Sequence, residues 1–210
     1  MKNITRIIHI GVSFLVLLTA FNTCQALVSD VFDKNNYGRL GFYSLAALYV
    51  TFATVSFFST PIIEKLGAKS SMILGSFWYT LWVGAALLPL FLENTQTTKT
   101  VVWVVMIVAG AINGFGASIL WIGQGKYVSD CSDETNKGFH YGLVWSILAG
   151  SQLIGHIIAA FLIDTFSQTV FFKVMSVMSF LGFMMFFTLT KPVKDNNLDF
   201  KQIKSDKLLA

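Results

Sequence analysis

Six long apolar runs, separated by short polar stretches, make up most of the chain. Each run approaches the roughly 20 residues that an α-helix needs to cross the hydrocarbon core of a bilayer. The pattern predicts six transmembrane helices, at residues 7–28, 40–63, 68–92, 101–124, 139–163 and 169–190. Residues 1–6 precede them, and a polar tail of residues 191–210 follows, with Lys191 and Pro192 ending the sixth helix because proline stops a helix. The predicted fold is all-α, that of a polytopic membrane protein.

The composition supports this prediction and excludes other classes of protein. Hydrophobic residues make up 54% of the 210 residues and charged residues 12%, about half of the roughly 25% found in soluble domains. The apolar runs leave only short connections and a tail, so no soluble catalytic domain fits. Although the formal net charge is +4, lysines and arginines are scattered singly and form no basic stripe. The predicted partner is therefore the lipid bilayer and not a nucleic acid.

The distribution of positive charge predicts the orientation of the chain. An even number of spans places both termini on one side of the membrane, and that side carries eleven lysines and arginines against four on the other. Since cytoplasmic segments are enriched in these residues, we expect both termini in the cytoplasm, in the plasma membrane or an endomembrane. Cys24 lies within the first run and Cys131 in the predicted cytoplasmic loop of residues 125–138.

Polar side chains inside the apolar runs are the candidate functional residues. Three of the six runs contain them at helical spacing, and the candidates are Asn22, Gln25, Asn113, Gln124, Gln152 and His156. Each side chain either forms a hydrogen bond between helices or contacts a polar substrate, and both interpretations remain open. An ionisable residue at membrane depth is by default a functional-site hypothesis, although His156 has no carboxylate at its depth for a proton relay.

No enzyme, metal site or cofactor is predicted. Ser118 and His156 lack the surrounding motif of an intramembrane serine–histidine dyad, and nothing identifiable supplies an oxyanion hole. The three histidines lie on different segments without cysteine or carboxylate partners at ligand spacing. Gly110 and Gly114 are spaced as in helix-packing motifs of membrane proteins, which indicates close contact between helices.

The turn after the second run resembles the signature loop of the major facilitator superfamily, Gly-x-Leu-x-Asp-Arg-x-Gly-Arg. Glu64 replaces the acid, Lys65 the arginine after it, Gly67 matches the second glycine and Lys69 a following basic residue, whereas Thr60 replaces the first glycine. Gly67 permits a tight turn, and an acid near the start of a helix is favoured by the helix dipole. The resemblance implies a facilitator-type membrane fold.

A second stretch narrows the resemblance to one family. Trp121, Gln124, Gly125 and Tyr127 lie in a segment similar to the Unc-93-like family of ion channel regulatory proteins, and the similarity extends over residues 10–190. It implies a non-enzymatic multi-pass protein which, in animal relatives, regulates potassium channels or the trafficking of membrane receptors. It also implies the N-terminal six-helix half of a facilitator fold, built as two inverted three-helix repeats with helices one and four lining a cavity.

Two functional hypotheses remain open. The chain is either a regulator that contacts a channel, a receptor or a second copy of itself, or a secondary transporter of a small neutral or weakly polar solute. The transporter hypothesis requires the buried amides and His156 for activity, whereas the regulator hypothesis places function on exposed surfaces. A six-helix unit with amides on one face also predicts association, because lipid cannot satisfy those groups.

Overall fold

The computed structural model describes residues 2–92 and 95–192, with the backbone alone at Lys2. These residues form eight α-helices and no strand: α1 (Lys2–Lys34), α2 (Leu40–Ser56), α3 (Ser59–Leu66), α4 (Ala68–Ala85), α5 (Leu88–Phe91), α6 (Gln96–Asp130), α7 (Lys137–Thr165) and α8 (Gln168–Phe187). Among the described residues, five spans are long and apolar enough to cross a membrane, and the bent pair α2–α3 brings the number to six when it is counted as one broken span. The predicted all-α polytopic membrane protein is confirmed.

The long helices extend beyond their apolar runs. α1 has 33 residues and α6 has 35, so each is about 50 Å long, against a hydrocarbon core of about 30 Å. The polar flanks continue the helix into the interfacial region because their backbone hydrogen bonds do not depend on the apolar pattern. The predicted loop 125–138 is consequently shorter, since α6 continues to Asp130 and α7 begins at Lys137. Cys131 is therefore buried at the end of α6 and is not a loop residue open to water.

Proline interrupts the second and third predicted spans. The predicted helix 40–63 is divided into α2 and α3, which meet at a bend of 75°. Pro61 cannot donate a backbone hydrogen bond to the carbonyl four residues earlier, at Phe57, and its ring clashes with that carbonyl. Pro89 has the same relation to Ala85, where α4 ends before the short α5. The breaks thus follow from the two prolines.

The packing relates the first three spans to the last three. α1 packs against α7 and α8, while α6 packs against α2 and α4, and α4 contacts α8. Exchanging α1 with α6, α2 with α7 and α4 with α8 converts the contacts of α1 into those of α6 and leaves the α4–α8 contact unchanged. Because each group has three spans, the second group enters the membrane from the opposite side. These relations are those of an inverted repeat.

Small residues and buried hydrogen bonds hold α6 against its neighbours. A Cβ atom at Gly114 would overlap the backbone carbonyl of Leu48 on α2, so only glycine allows this approach. Next to this contact, the indole nitrogen of Trp82 on α4 donates to the Ser44 hydroxyl at 3.0 Å, and that hydroxyl donates to the Met106 carbonyl at 2.9 Å. The three helices α4, α2 and α6 are thereby joined through fully buried polar groups.

Both ends of the described chain meet at one end of the bundle. Arg6 near the start of α1 donates to the Thr190 hydroxyl after α8 at 3.0 Å. At the opposite end, Asn35 donates to the Gln168 side chain at 3.2 Å, which joins the first connection to the start of α8. The helix bundle therefore has the even-span arrangement that the sequence predicted.

We expect Gly67→Val to lower the thermal stability of the chain. Gly67 joins α3 to α4 with φ 79° and ψ 152°, a region that glycine alone occupies readily. No neighbouring atom lies within 4 Å of the added Cβ, so the expected cost of about 1 to 3 kcal/mol is backbone strain and not a clash. Thermal melting of the purified protein measures it.

Gly142→Val is the matched control. This exposed glycine of α7 also has open space around an added Cβ but lacks a positive φ. Equal melting temperatures for the two variants would show that the turn at Gly67 has no special backbone requirement.

Candidate functional site

A cavity of about 330 Å³ lies between α1, α2, α4, α6 and α7. Its wall consists mainly of aromatic rings, with one amide and three aliphatic side chains: Leu18, Phe21, Asn22, Leu48, Tyr49, Phe52, Tyr79, Ala117, Trp121 and Trp145. Tyr49 and Trp145 are about half exposed, at 48% and 55%, so the cavity opens to the surface beside them. Its size falls in the range of small-molecule sites, near the lower end of about 300 to 1,000 Å³.

The aromatic rings of the cavity are held mainly by one another. Trp121 and Trp145 stack with centroids 5.6 Å apart and an interplanar angle of 14°. Phe21 meets Tyr79 edge to face at 4.5 Å, and the indole nitrogen of Trp121 donates to the Tyr79 hydroxyl at 3.2 Å. Trp121, predicted as part of the family-like motif, therefore joins α6 to both α4 and α7.

Two predicted amides on α1 lie beside the cavity and have partners. Asn22 donates to the Ser151 hydroxyl of α7 at 3.4 Å, which is a long hydrogen bond. Gln25 accepts from the Tyr49 hydroxyl of α2 at 2.8 Å. Both contacts are between helices, as one of the two interpretations of these residues requires, and the half-buried Asn22 also lines the cavity.

The two predicted amides on α6 are buried and incompletely paired. Asn113 is fully buried, and neither its oxygen nor its nitrogen has a hydrogen-bond partner among the described residues. Gln124 is 3% exposed, and its side-chain nitrogen likewise lacks a partner there. An unpaired buried amide is costly in an apolar interior, so these positions are the least expected in a bundle stabilised by packing alone.

Gln152 and His156 lie on the exposed side of α7, in the same stripe as Trp145. The Nδ1 atom of His156 is 2.6 Å from the Gln152 carbonyl oxygen. Because a carbonyl oxygen only accepts, Nδ1 carries a proton and donates it to this bond. Neither side chain points into the protein core.

We use the term polar face for the surface formed by Gln25, Tyr49, Trp145, Gln152 and His156. Tyr49 and Trp145 lie at the mouth of the cavity, Gln25 bonds to Tyr49, and Gln152 and His156 continue the exposed stripe of α7 beyond Trp145. The exposed residues of α8 from Val174 to Phe187, on the contrary, are all apolar. One surface of the bundle therefore suits hydrocarbon, whereas the polar face offers hydrogen-bonding groups that hydrocarbon cannot satisfy.

The remaining predicted residues lie away from the cavity, towards the end of the bundle where α8 terminates. Lys69 donates to the Phe187 carbonyl at 2.7 Å, and the buried Tyr127 donates to the Thr190 carbonyl at 2.6 Å. Glu64 and Lys65 are exposed on α3. The carbonyl of Gly125 accepts from the Tyr141 hydroxyl at 2.6 Å, outside the site just described.

Several residues that form these contacts were not predicted from the sequence. Tyr49 and Tyr79 were not candidates because a tyrosine in an apolar run is indistinguishable from any other core aromatic residue. His9, 3.0 Å from the Thr188 hydroxyl, was also missed, since its partner is 179 residues away along the chain.

Comparison with known proteins supports the resemblance seen in the sequence. The family described as "Ion channel regulatory protein UNC-93" matches residues 34–207. "UNC93-like protein 3" of Arabidopsis thaliana is 34% identical over 168 residues, which cover 75% of this chain and 32% of that protein. "UNC93-like protein MFSD11" of Xenopus tropicalis is 26% identical over 206 residues, which cover 93% of this chain and 43% of that protein.

A further relative carries a functional name. The "Putative potassium channel regulatory protein unc-93" of Caenorhabditis elegans is 27% identical over 164 residues, covering 73% of this chain and 21% of that protein. The chain thus spans less than half the length of each of these three relatives. Since the family match includes most of the chain, the chain belongs to the UNC-93 family of ion channel regulatory proteins.

Proposed function

We propose that the chain is a non-catalytic regulator that acts on another membrane protein, a potassium channel or a trafficked receptor, through the polar face. The observation that carries the proposal is the contrast between this face and the apolar surface of α8. Polar groups at membrane depth face protein or water and not lipid. The name of the Caenorhabditis elegans relative supports a potassium channel as the first partner to test.

The architecture gives the polar face a second candidate partner. The packing of α1 with α7 and α8 and of α6 with α2 and α4 fits the N-terminal six-helix half of a major facilitator fold. In such a fold the polar face would contact a second six-helix unit across a midplane cavity. A second unit, a second copy of this chain and a channel or receptor are thus the candidates for covering it.

The serine–histidine contacts of the structure do not support hydrolysis. Ser118 bonds to Ser59 between α6 and α3, so its hydroxyl is engaged in helix packing. Ser132 lies 2.8 Å from Nδ1 of His140, but its hydroxyl donates to the Val128 carbonyl at 2.6 Å. Nδ1 of His140 must then carry a proton and donate to Ser132, so the histidine cannot act as the base for this serine.

Transport of a small neutral solute is the second candidate function, and the cavity favours it. The cavity is about 330 Å³ and lined by an amide and aromatic rings without a charged side chain. Such a lining fits an uncharged solute better than an ion, since an ion would lose its hydration shell without gaining a charged partner in the cavity.

We expect the regulatory effect to depend on the polar face. In cells that express a potassium channel, adding this chain should change the potassium current, recorded by voltage clamp, or the surface abundance of the channel, measured by biotinylation. The double variant Gln152→Leu and His156→Leu should lose at least about half of that effect, because two desolvated hydrogen bonds of about 1 kcal/mol each would be removed.

The control places leucine on the opposite surface. Val177→Leu with Phe180→Leu changes exposed apolar positions of α8 and should leave the effect intact. If the polar-face variant regulates as well as the wild type, the face is not the contact surface. If the wild-type chain alters neither current nor surface abundance, the regulator proposal is wrong.

We further propose that both termini are cytoplasmic, on the basis of the excess of lysine and arginine at that end of the bundle. Cys131 is a poor reporter for this orientation, because burial raises the pKa of its thiol to about 11 and restricts access. Glu134 is exposed in the same connection between α6 and α7. Glu134→Cys, with Cys24→Ala and Cys131→Ser, should react with a membrane-impermeant maleimide only after the plasma membrane is permeabilised.

Labelling of Glu134→Cys in intact cells would reverse the orientation. Asn36→Cys is the matched reporter for the other end of the bundle, since Asn36 is exposed between α1 and α2. In a chain located at the plasma membrane it should show the opposite behaviour and react without permeabilisation.

A further inference from the structure

Asn113 is the most unusual polar residue of the bundle. It is fully buried near the middle of α6, and within the described part of the chain both of its amide atoms lack a hydrogen-bond partner. A leucine of similar size would fill the same space without leaving a donor and an acceptor unpaired. Helix packing therefore gives no reason for an amide at this position.

The position of Asn113 relates it to the cavity. Asn113 and Ala117 are four residues apart on α6, so their side chains lie on one face, about 6 Å apart along the helix axis. Ala117 lines the cavity, and its methyl group is the smallest side chain of the wall. The unpaired amide thus belongs to a residue one helical turn from Ala117, the smallest residue of the cavity wall.

The cavity walls restrict the charge of a ligand. None of the lining side chains is charged, so an ion would lose its hydration without a compensating partner. A quaternary ammonium group could be held by ring faces alone, but Trp121 and Trp145 stack on each other and Phe21 packs edge to face with Tyr79. These contacts leave fewer ring faces free to surround a cation on several sides, whereas a flat neutral ligand needs only one free face or edge and remains the best fit.

The amide of Asn113 restricts the polar group of the ligand. Asparagine offers one acceptor oxygen and a donor nitrogen side by side. Its complement is a group that also presents a donor beside an acceptor, as a carboxamide or lactam does. One such group would satisfy both unpaired atoms at once.

We propose that the cavity and Asn113 form a binding site for a small, neutral, planar ligand that carries an amide-type donor–acceptor pair. The ring of the ligand packs among Phe21, Tyr79 and Trp121, and its amide passes Ala117 to pair with Asn113. The two observations, an aromatic cavity and an orphaned amide beside it, are independent of each other. The proposal concerns binding alone and does not depend on regulation of a channel.

The test compares two probes of the same shape. Benzamide carries the donor–acceptor pair, whereas acetophenone replaces the amide nitrogen by a methyl carbon and has no donor. Binding of each to the purified full chain in phosphatidylcholine nanodiscs is followed by tryptophan fluorescence, since Trp121 and Trp145 line the site. We expect saturable binding of benzamide, at least roughly tenfold tighter than that of acetophenone.

Asn113→Leu should abolish the preference for benzamide and leave the affinity for acetophenone unchanged. The melting temperature of this variant without ligand should equal or exceed that of the wild type, because the amide it removes has no partner. Gln124→Leu is the matched control, since Gln124 is a buried amide of the same helix with an unpaired nitrogen but lies seven residues from Ala117, about 10 Å along the axis and on its other side from Asn113, so this variant should keep the preference. Ala117→Leu should weaken binding of benzamide at least tenfold by blocking its path.

Four results would overturn the proposal. The first two are that the wild type binds both probes with equal affinity, or that it shows no saturable binding of benzamide. The third is that Asn113→Leu keeps the preference for benzamide. The fourth is that choline, a probe with a quaternary ammonium group, binds more tightly than benzamide. Should Asn113→Leu fail to fold, Ala117→Leu decides the question, since undiminished binding of benzamide there would exclude this site. None of these measurements involves a partner protein, so failure here leaves the regulator proposal untouched.

Discussion

The absence of water from the hydrocarbon core is the constraint on which the rest of this structure depends. Every polar group at membrane depth must find its partner within protein. Inside the bundle the requirement is met by hydrogen bonds between helices, such as the sequence from Trp82 through Ser44 to the Met106 carbonyl. For the groups that do not meet it, on the polar face and at Asn113, we have proposed partners from outside the bundle.

The apolar pattern predicted the spans because hydrophobicity reports membrane depth directly. It did not predict the ends of α1 and α6, since a helix that emerges from the bilayer continues as long as its backbone bonds persist. The breaks near Ser56 and Ala85 could have been predicted from the sequence. Pro61 and Pro89 each lack the backbone N–H that would donate to the carbonyl four residues earlier. A prediction based only on the number of consecutive apolar residues gives one continuous helix across each of these breaks.

The candidate residues were predictable as types, but their partners were not. Asn22 and Gln25 stood out as amides in an apolar run, whereas Ser151 and Tyr49, to which they bond, carry no signal of their own. The same amide pattern on α6 gave no indication that Asn113 would be left unpaired. Pairing depends on how distant helices meet, and this information is not contained in the periodicity of one segment.

The central claim is that the polar face is covered by protein and the surface of α8 by lipid. A photo-reactive phenylalanine placed at His156 or at Val177, followed by irradiation of native membranes and mass spectrometry, compares the two directly. The account predicts protein adducts at His156, whether from a second unit, a second copy or a partner, and lipid adducts at Val177. Lipid adducts at both positions, in equal yield, would contradict it.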